Sequence, residues 1–95
     1  MASGVPPVEL LESTHDFPGE YMLKAFGPHE QTFVDAVTEA VSPFHSRAGS
    51  PAVSARASSK GTYICVTAAV WLDDAGHVEP LYAAVRQVDG LKRML

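Results

Sequence analysis

The stretch that decides the fold is residues 62–72, TYICVTAAVWL, which is rich in β-branched and aromatic side chains. Such composition is typical of a β-strand, in which successive side chains point to opposite faces of the sheet. One face would carry Ile64, Val66, Ala68, Val70 and Leu72, and the other Tyr63, Cys65, Thr67, Ala69 and Trp71. Both faces are largely apolar, so we predict that this strand lies in the centre of a sheet.

The residues before this strand predict a hairpin. Ser58-Ser59-Lys60-Gly61 is a turn with a glycine available for positive φ, and residues 52–57 form a weak strand of small side chains. Pro51 and the small side chains favour the edge of a sheet for this weak strand.

Further upstream, residues 20–26 have room for a first strand, with Tyr21, Leu23 and Ala25 on one face. Gly27-Pro28 then predicts a turn that places Pro28 at the first helical position and Glu30 near the positive end of the helix. Three- and four-residue spacing predicts that the helix carries one apolar stripe, made of Phe33, Val34, Val37, Ala40, Val41 and Phe44.

Downstream of the long strand, Asp73-Asp74 is a capping signal for a second helix, which we expect to begin near Val78 or Glu79. Gly76 and Pro80 interrupt the helical pattern near its start, and Asp89-Gly90 is expected to end the helix. Residues 91–95 are long enough for a short last strand. The stripe of this helix is Leu81, Tyr82, Val85 and Val88.

The resulting order βαββαβ predicts a ferredoxin-like α+β sandwich. Its four-stranded antiparallel sheet would have strands one and three in the centre and both helices on one face. The predicted core is Phe33, Val37, Val41, Ile64, Val66, Val70, Leu81 and Val85.

The length of 95 residues suits one domain, which we place at residues 17–95 after a flexible N-terminal tail at residues 1–16. No apolar run reaches the roughly 18 residues that span a bilayer, and no secretory signal is recognisable, so we expect a cytoplasmic protein. Cys65 is the single cysteine, and the four histidines are scattered. We therefore expect no disulfide, no metal site and no cofactor.

The formal net charge is −4, and it is unevenly distributed. Residues 1–50 carry seven acids against Lys24 and Arg47, while residues 51–95 carry four acids against five bases. An acidic balance makes nucleic acid an unlikely partner, although it leaves room for a local basic patch.

Three blocks of the sequence stand out together: Phe17-Pro18 with Lys24 and Gly27, then Ser58-Ser59-Lys60-Gly61 with Tyr63, and then Leu81-Tyr82. In order and spacing these blocks resemble the YbeD-like family of small bacterial proteins. The resemblance covers residues 16–95 and implies a ferredoxin-like fold similar to ACT regulatory domains. It also implies a link to lipoate attachment through gene neighbourhood, and it supplies no catalytic mechanism. The longer tail, Gly76 and Pro80 depart from the family pattern.

Three places are candidates for binding. The Ser58–Gly61 turn offers hydroxyls, an ammonium and free N–H groups to an anion, and the strand-to-helix turn at Gly27 offers a helix N-terminus. Each of these also has a purely structural interpretation as a tight turn. The third is the open sheet face, which is apolar enough to need a partner. If Tyr21, Leu23 and Ala25 face the helices, this open face carries Met22, Lys24, Phe26, Tyr63, Cys65, Thr67, Trp71 and Arg56. The candidate binding residues are Lys24, Gly27, Ser58, Ser59, Lys60, Gly61 and Tyr63.

No catalytic residues are predicted, because no nucleophile motif or convergent set of acids is present. We expect a non-enzymatic regulatory or adaptor domain that binds a small carboxylate metabolite or a protein partner. We also expect the protein to self-associate through the open sheet face or an edge strand. The alternative is that the N-terminal tail folds over the open sheet face. An RNA-binding module that uses the open sheet face, and a small enzyme, are the alternatives.

Overall fold

A computed structural model describes residues 17–95 and contains a four-stranded antiparallel sheet of order β2-β3-β1-β4. The expected flexible tail at residues 1–16 lies outside the described residues. The predicted order of elements, strand, helix, strand, strand, helix, strand, is confirmed. The strands are β1 (Gly19–Pro28), β2 (Ala52–Ala57), β3 (Tyr63–Leu72) and β4 (Arg93–Met94), and the helices are α1 (Gln31–Val41) and α2 (Val78–Arg86).

The β2–β3 hairpin lies where the sequence predicted it. Ala52 pairs with Ala69 and Ala57 with Ile64, so β2 is an edge strand and β3 is central. Gly61 has φ of +71°, a conformation that costs glycine little because it has no β-carbon. The turn closes with a hydrogen bond from the Gly61 N–H to the Ser58 carbonyl at 2.9 Å.

The hydrophobic core lies between one face of the sheet and the side chains that both helices pack against it. All eight predicted core residues are buried in one cluster with inward-facing residues of β1, which confirms that both helices cover the same face. The cluster includes Tyr21, Leu23, Ala25, Phe33, Val37, Val41, Ile64, Val66, Val70, Leu81 and Val85.

The prediction that Pro28 begins the first helix is wrong. Pro28 is the last residue of β1 and pairs with Tyr63, while α1 begins at Gln31 with Glu30 as its N-cap. The backbone groups of Lys24 and Phe26 form hydrogen bonds with residues 92–95 rather than with β3. Pro28 follows Phe26 by two residues, so its backbone nitrogen also faces away from β3, and proline is tolerated there. The missing N–H of Pro28 therefore removes no hydrogen bond from the β1–β3 ladder.

The second helix begins at Val78, as predicted, after a short 3₁₀ turn at Ala75–His77. The Asp74 carboxylate accepts a hydrogen bond from the Gly76 N–H at 2.7 Å and so caps that turn. Pro80 is the third helical residue, where an N–H would have no partner within the helix.

The predicted helix end at Asp89-Gly90 is too late, because α2 ends at Arg86. Turn hydrogen bonds run from Val88 N–H to the Val85 carbonyl and from Leu91 N–H to the Val88 carbonyl. Val88 still packs against the core from this turn, which explains why the apolar stripe continued past the helix.

Two tyrosines link β1 to α2 inside the core. The hydroxyl oxygens of Tyr21 and Tyr82 are 3.2 Å apart, and both side chains are buried. Their rings meet edge to face with centroids 6.3 Å apart. Burial, followed by the hydrogen bond to Tyr82, raises the pKa of Tyr21 well above its ordinary value of 10.0.

This pair predicts a pH dependence of stability at the alkaline end. As the pH rises past about 10, the unfolded chain releases the Tyr21 proton while the folded protein keeps it. The contribution of buried Tyr21 to the free energy of unfolding is therefore complete below about pH 10 and is lost as the pH rises further. We expect Tyr21→Phe to reduce this alkaline loss and to cost about 0.5–1.5 kcal/mol at neutral pH. Urea midpoints between neutral and alkaline pH measure both effects. A double-mutant cycle with Tyr82→Phe isolates the pair, and additive costs would contradict a direct interaction.

No helix within residues 17–95 is long and apolar enough to cross a bilayer.

Candidate functional site

The sheet face opposite the helices, which we call the open face, carries the outward side chains of all four strands. The β-alternation and register place Lys24 beside Thr67, and Phe26 between Cys65 and Arg93. Its members are Glu20, Met22, Lys24 and Phe26 of β1, Tyr63, Cys65, Thr67, Ala69 and Trp71 of β3, Ala52, Ser54 and Arg56 of β2, and Arg93 and Leu95 at the end of the chain.

Exposed apolar surface is concentrated on the open face. The large hydrophobic side chains that are exposed among residues 17–95 are Met22 at 55%, Tyr63 at 47% and Leu95 at 61%, and all three belong to it. A clustered exposed apolar surface is typical of a binding surface.

An aromatic pair divides the open face into two grooves. The rings of Phe26 and Tyr63 meet edge to face with centroids 6.5 Å apart, and the Arg93 guanidinium lies 5.0 Å from the Phe26 centroid. The first groove, of about 270 Å³, is lined by Lys24, Phe26, Ser54, Arg56, Ala57, Ser58, Ser59, Tyr63, Cys65 and Thr67. The second, of about 550 Å³, is lined by Phe26, Thr62, Tyr63, Lys92 and Arg93.

Positive charge is also concentrated here. Lys24, Arg56 and Arg93 stand on the open face, and Glu20 is the acidic side chain among its described members. Within residues 17–95, the ion pair with an N–O distance within 4.0 Å joins His77 to Asp74, in the segment between β3 and α2. No carboxylate of the described residues therefore lies within 4.0 Å of the cations on the open face, and the positive potentials of these cations reinforce one another.

The structure brings four of the predicted binding residues together at the first groove: Lys24, Ser58, Ser59 and Tyr63. Backbone hydrogen bonding ties Ser58 to Tyr63, since the Ser58 N–H donates to the Tyr63 carbonyl at 2.8 Å. The Ser58 hydroxyl accepts from the Tyr63 N–H at 3.3 Å, which occupies one of its two lone pairs.

The other three predicted residues lie elsewhere. Gly27 is buried on the helix side, against the ring of Phe33. Lys60 is exposed in the hairpin turn and is not part of either groove lining. The carbonyl of Gly61 lies 3.0 Å from His29 Nδ1, which links the hairpin to the end of β1.

Sequence reasoning placed Phe26, Cys65, Thr67, Trp71 and Arg56 on the open face but missed Arg93. The last strand is only two residues long, so alternation alone did not orient it. Its hydrogen bonds with β1, from the Leu95 N–H to the Lys24 carbonyl and from the Lys92 N–H to the Phe26 carbonyl, set the register.

A further cation stands at the end of the open face where β1 begins. The Arg47 guanidinium lies 3.5 Å from the centre of the Trp71 ring, a cation–π contact that sequence spacing did not suggest. His45 Nδ1 accepts a hydrogen bond from the Trp71 N–H at 2.9 Å, which holds the preceding loop against β3.

The described side chains show no arrangement suited to metal chemistry. Among residues 17–95, no three His, Cys, Asp or Glu side chains lie close enough to share a metal ion. Cys65 is a free, half-buried thiol that lines the first groove beside Lys24 and Arg56.

Comparison with known sequences places the chain in a family. Residues 12–95 match the model of a protein family of unknown function, DUF493. A UPF0250 protein of Shewanella amazonensis is 33% identical over 90 residues, which cover 90% of this chain and 100% of the relative. A UPF0250 protein of Shewanella piezotolerans is 36% identical over 90 residues, and these cover 92% of each chain. The predicted YbeD-like resemblance is thus confirmed, and the chain belongs to the DUF493 (UPF0250) family.

Proposed function

We propose that this protein is a non-enzymatic regulatory or adaptor domain whose open face binds a carboxylate attached to an apolar group. The single observation that carries the proposal is the groove in which Lys24 and Arg56 flank the Phe26–Tyr63 pair without a carboxylate partner in the described chain. A carboxylate would gain charge-assisted hydrogen bonds there, while its apolar portion would cover exposed aromatic surface.

Two sources can supply this chemistry, a free metabolite or an acidic side chain of a protein partner. The groove of about 270 Å³ is close to the lower limit for small-molecule sites, about 300 Å³. It therefore suits a short carboxylic acid or a single side chain. The resemblance to proteins linked with lipoate metabolism makes lipoate a reasonable probe, since it joins one carboxylate to an apolar chain.

Charge also bears on self-association. Two open faces placed against each other would bring Lys24, Arg56 and Arg93 of one copy close to the same cations of the other, and like charges oppose such docking. We therefore favour the β2 edge strand over the open face as the surface for self-association, because its small exposed side chains leave backbone groups accessible.

RNA is the alternative occupant of the open face, because exposed aromatic rings can stack on bases. The geometry favours a carboxylate instead. Arg93 already covers part of the Phe26 ring, and the edge-to-face contact leaves Phe26 and Tyr63 without a common flat surface for stacking.

Thermal denaturation in the presence of probes tests the proposal. Lipoate, octanoate and amino acids represent the metabolite, a short acidic peptide represents a partner, and oligouridine represents RNA. A ligand at about 100 times its Kd adds about 2.7 kcal/mol to stability and raises the Tm. A shift with oligouridine alone, weakening steeply with salt, would replace the proposal by RNA binding. No shift with any carboxylate probe would contradict it.

Charge removal in the groove provides the matched variant test. We expect Lys24→Gln and Arg56→Gln each to weaken binding of the probe by about 1–3 kcal/mol while leaving the fold intact. Arg86→Gln removes the same charge from the exposed end of α2 and serves as the control. Equal affinities for all three variants, measured by calorimetric titration, would place the ligand away from the open face.

Lys60 tests whether the ligand extends to the hairpin turn. As an exposed turn residue it should alter stability by no more than about 0.5 kcal/mol when changed to Ala. If the Ser58–Gly61 turn contacts the bound anion, Lys60→Ala should also weaken binding by about 1–3 kcal/mol. A folded variant with unchanged affinity would remove Lys60 from the site, and a strongly destabilised variant would show that the lysine is structural.

A further inference from the structure

Cations flank the aromatic pair of the open face on both sides. Lys24 and Arg56 line the first groove, and Lys92 and Arg93 line the second. Both rings of the aromatic pair belong to both linings, so the pair forms the ridge between the two grooves. Among residues 17–95, no carboxylate lies within 4.0 Å of any of these four cations. Each groove therefore offers a site for an anionic group.

The second groove is large enough to take part in binding a small molecule. Its volume of about 550 Å³ lies within the usual range for such sites, about 300–1,000 Å³. Both of its cations are exposed, and Arg93 lies against the Phe26 ring. An anion bound to Arg93 would therefore sit beside the aromatic pair, on the side opposite Lys24 and Arg56.

The strand order fixes the separation of the two sets of cations. Arg56 of β2 and Arg93 of β4 lie in one row of the sheet, with Cys65 and Phe26 between them. Neighbouring strands are about 4.8 Å apart, so the backbone positions of the two arginines are about 14 Å apart. Because long cationic side chains can lean over the face, two anions held by the two sets would be about two to three strand spacings apart.

The surface between the two sets of cations is apolar. A ligand that reaches both sets must cross the aromatic pair, in which Tyr63 is 47% exposed. We infer that the ligand of the open face is a diacid, a small molecule with a carboxylate at each end of an apolar chain. One carboxylate binds Lys24 and Arg56, the chain covers the aromatic pair, and the second carboxylate binds Lys92 and Arg93. This inference rests on the proposed function and narrows the ligand class by requiring a second carboxylate.

Linking the two carboxylates explains why a diacid would bind more tightly than a monoacid. Once the first carboxylate is bound, the second meets its cations at a high effective concentration. A chain that is too short cannot reach both grooves, and one that is much longer must fold back. The affinity for diacids should therefore pass through a maximum as the chain lengthens, whereas monoacids should gain affinity gradually with apolar surface.

Calorimetric titration with a chain-length series measures this separation. The diacids are succinate, adipate, suberate and sebacate, and the monoacids of equal carbon number are butanoate, hexanoate, octanoate and decanoate. Extended suberate places its carboxyl groups about two strand spacings apart. We expect suberate or sebacate to bind about tenfold more tightly than its matched monoacid at constant ionic strength. Succinate carries the same two charges on a short chain, so it controls for charge alone and should show no such gain.

Variants of the second groove assign the second carboxylate. Arg93→Gln and Lys92→Gln should each weaken suberate binding about tenfold and leave octanoate binding within about twofold of the wild type. Lys92→Gln does not remove the contact with Phe26, so it repeats the test without that structural change. Lys24→Gln should weaken the binding of both ligands, because they share the first groove. Arg86→Gln, at the exposed end of α2, is the control and should bind both as the wild type does.

The possible outcomes separate this inference from the proposed function. Diacids that bind no more tightly than their matched monoacids overturn the inference and leave the proposed function standing. An octanoate affinity that falls with Arg93→Gln as much as the suberate affinity places a single carboxylate in the second groove and also overturns it. Binding of an acidic peptide without binding of any diacid assigns the open face to a protein partner, with the same consequence. Failure of every monoacid, diacid and acidic peptide to bind refutes the proposed function and the inference together.

Discussion

Phe33→Ala is expected to lower the free energy of unfolding by about 3–5 kcal/mol, the largest loss expected from a single substitution in this chain. The Phe33 ring is 2% exposed and lies between α1, β1 and the turn before β4, so its removal leaves a cavity that several elements cannot jointly close. Total stabilities of domains are about 5–15 kcal/mol, so this is a large fraction. The urea midpoint measures the loss directly.

Ile64→Ala tests the same core from β3, where we expect a cost of about 2–5 kcal/mol. Glu39→Ala, an exposed change on α1, is the control and should stay within about 0.5 kcal/mol of the wild type. Unchanged midpoints for both core variants would show that the faces of β3 and α1 are wrongly assigned.

Gly27→Ala is expected to cost about 1–3 kcal/mol, because a β-carbon at this position would overlap the ring of Phe33. The position is buried at the end of β1, so neither the strand nor the ring can move without disturbing the core. Thermal or urea denaturation of the variant provides the measurement.

The steric cause can be isolated by repeating the substitution in a Phe33→Leu background. We expect the two changes together to cost less than the sum of their separate costs, since the smaller side chain makes room for the methyl group. Gly27 was predicted as a binding residue, so this variant separates the two roles. Wild-type stability combined with lost probe binding would refute the packing explanation and restore Gly27 to the site.

Local sequence patterns predicted most of the fold. The alternation in residues 62–72 and the apolar stripes of both helices identified the core, because burial on one face requires a period of two in strands and about 3.6 in helices. The same alternation placed Lys24, Phe26 and Tyr63 on one surface. It failed at Pro28 and at the end of α2, where hydrogen-bond direction and turn geometry, rather than side-chain pattern, set the boundary.

The sequence by itself determined the class of fold, the order of the elements and the faces of the two central strands, since each depends on periodicity within one segment. Only the tertiary structure decided that Arg56 and Arg93, from opposite edges of the sheet, stand in one row with Cys65 and Phe26. It also decided that Gly27 contacts Phe33 rather than the groove. These arrangements depend on the register between strands and on packing between distant segments, which a pattern within one segment does not encode.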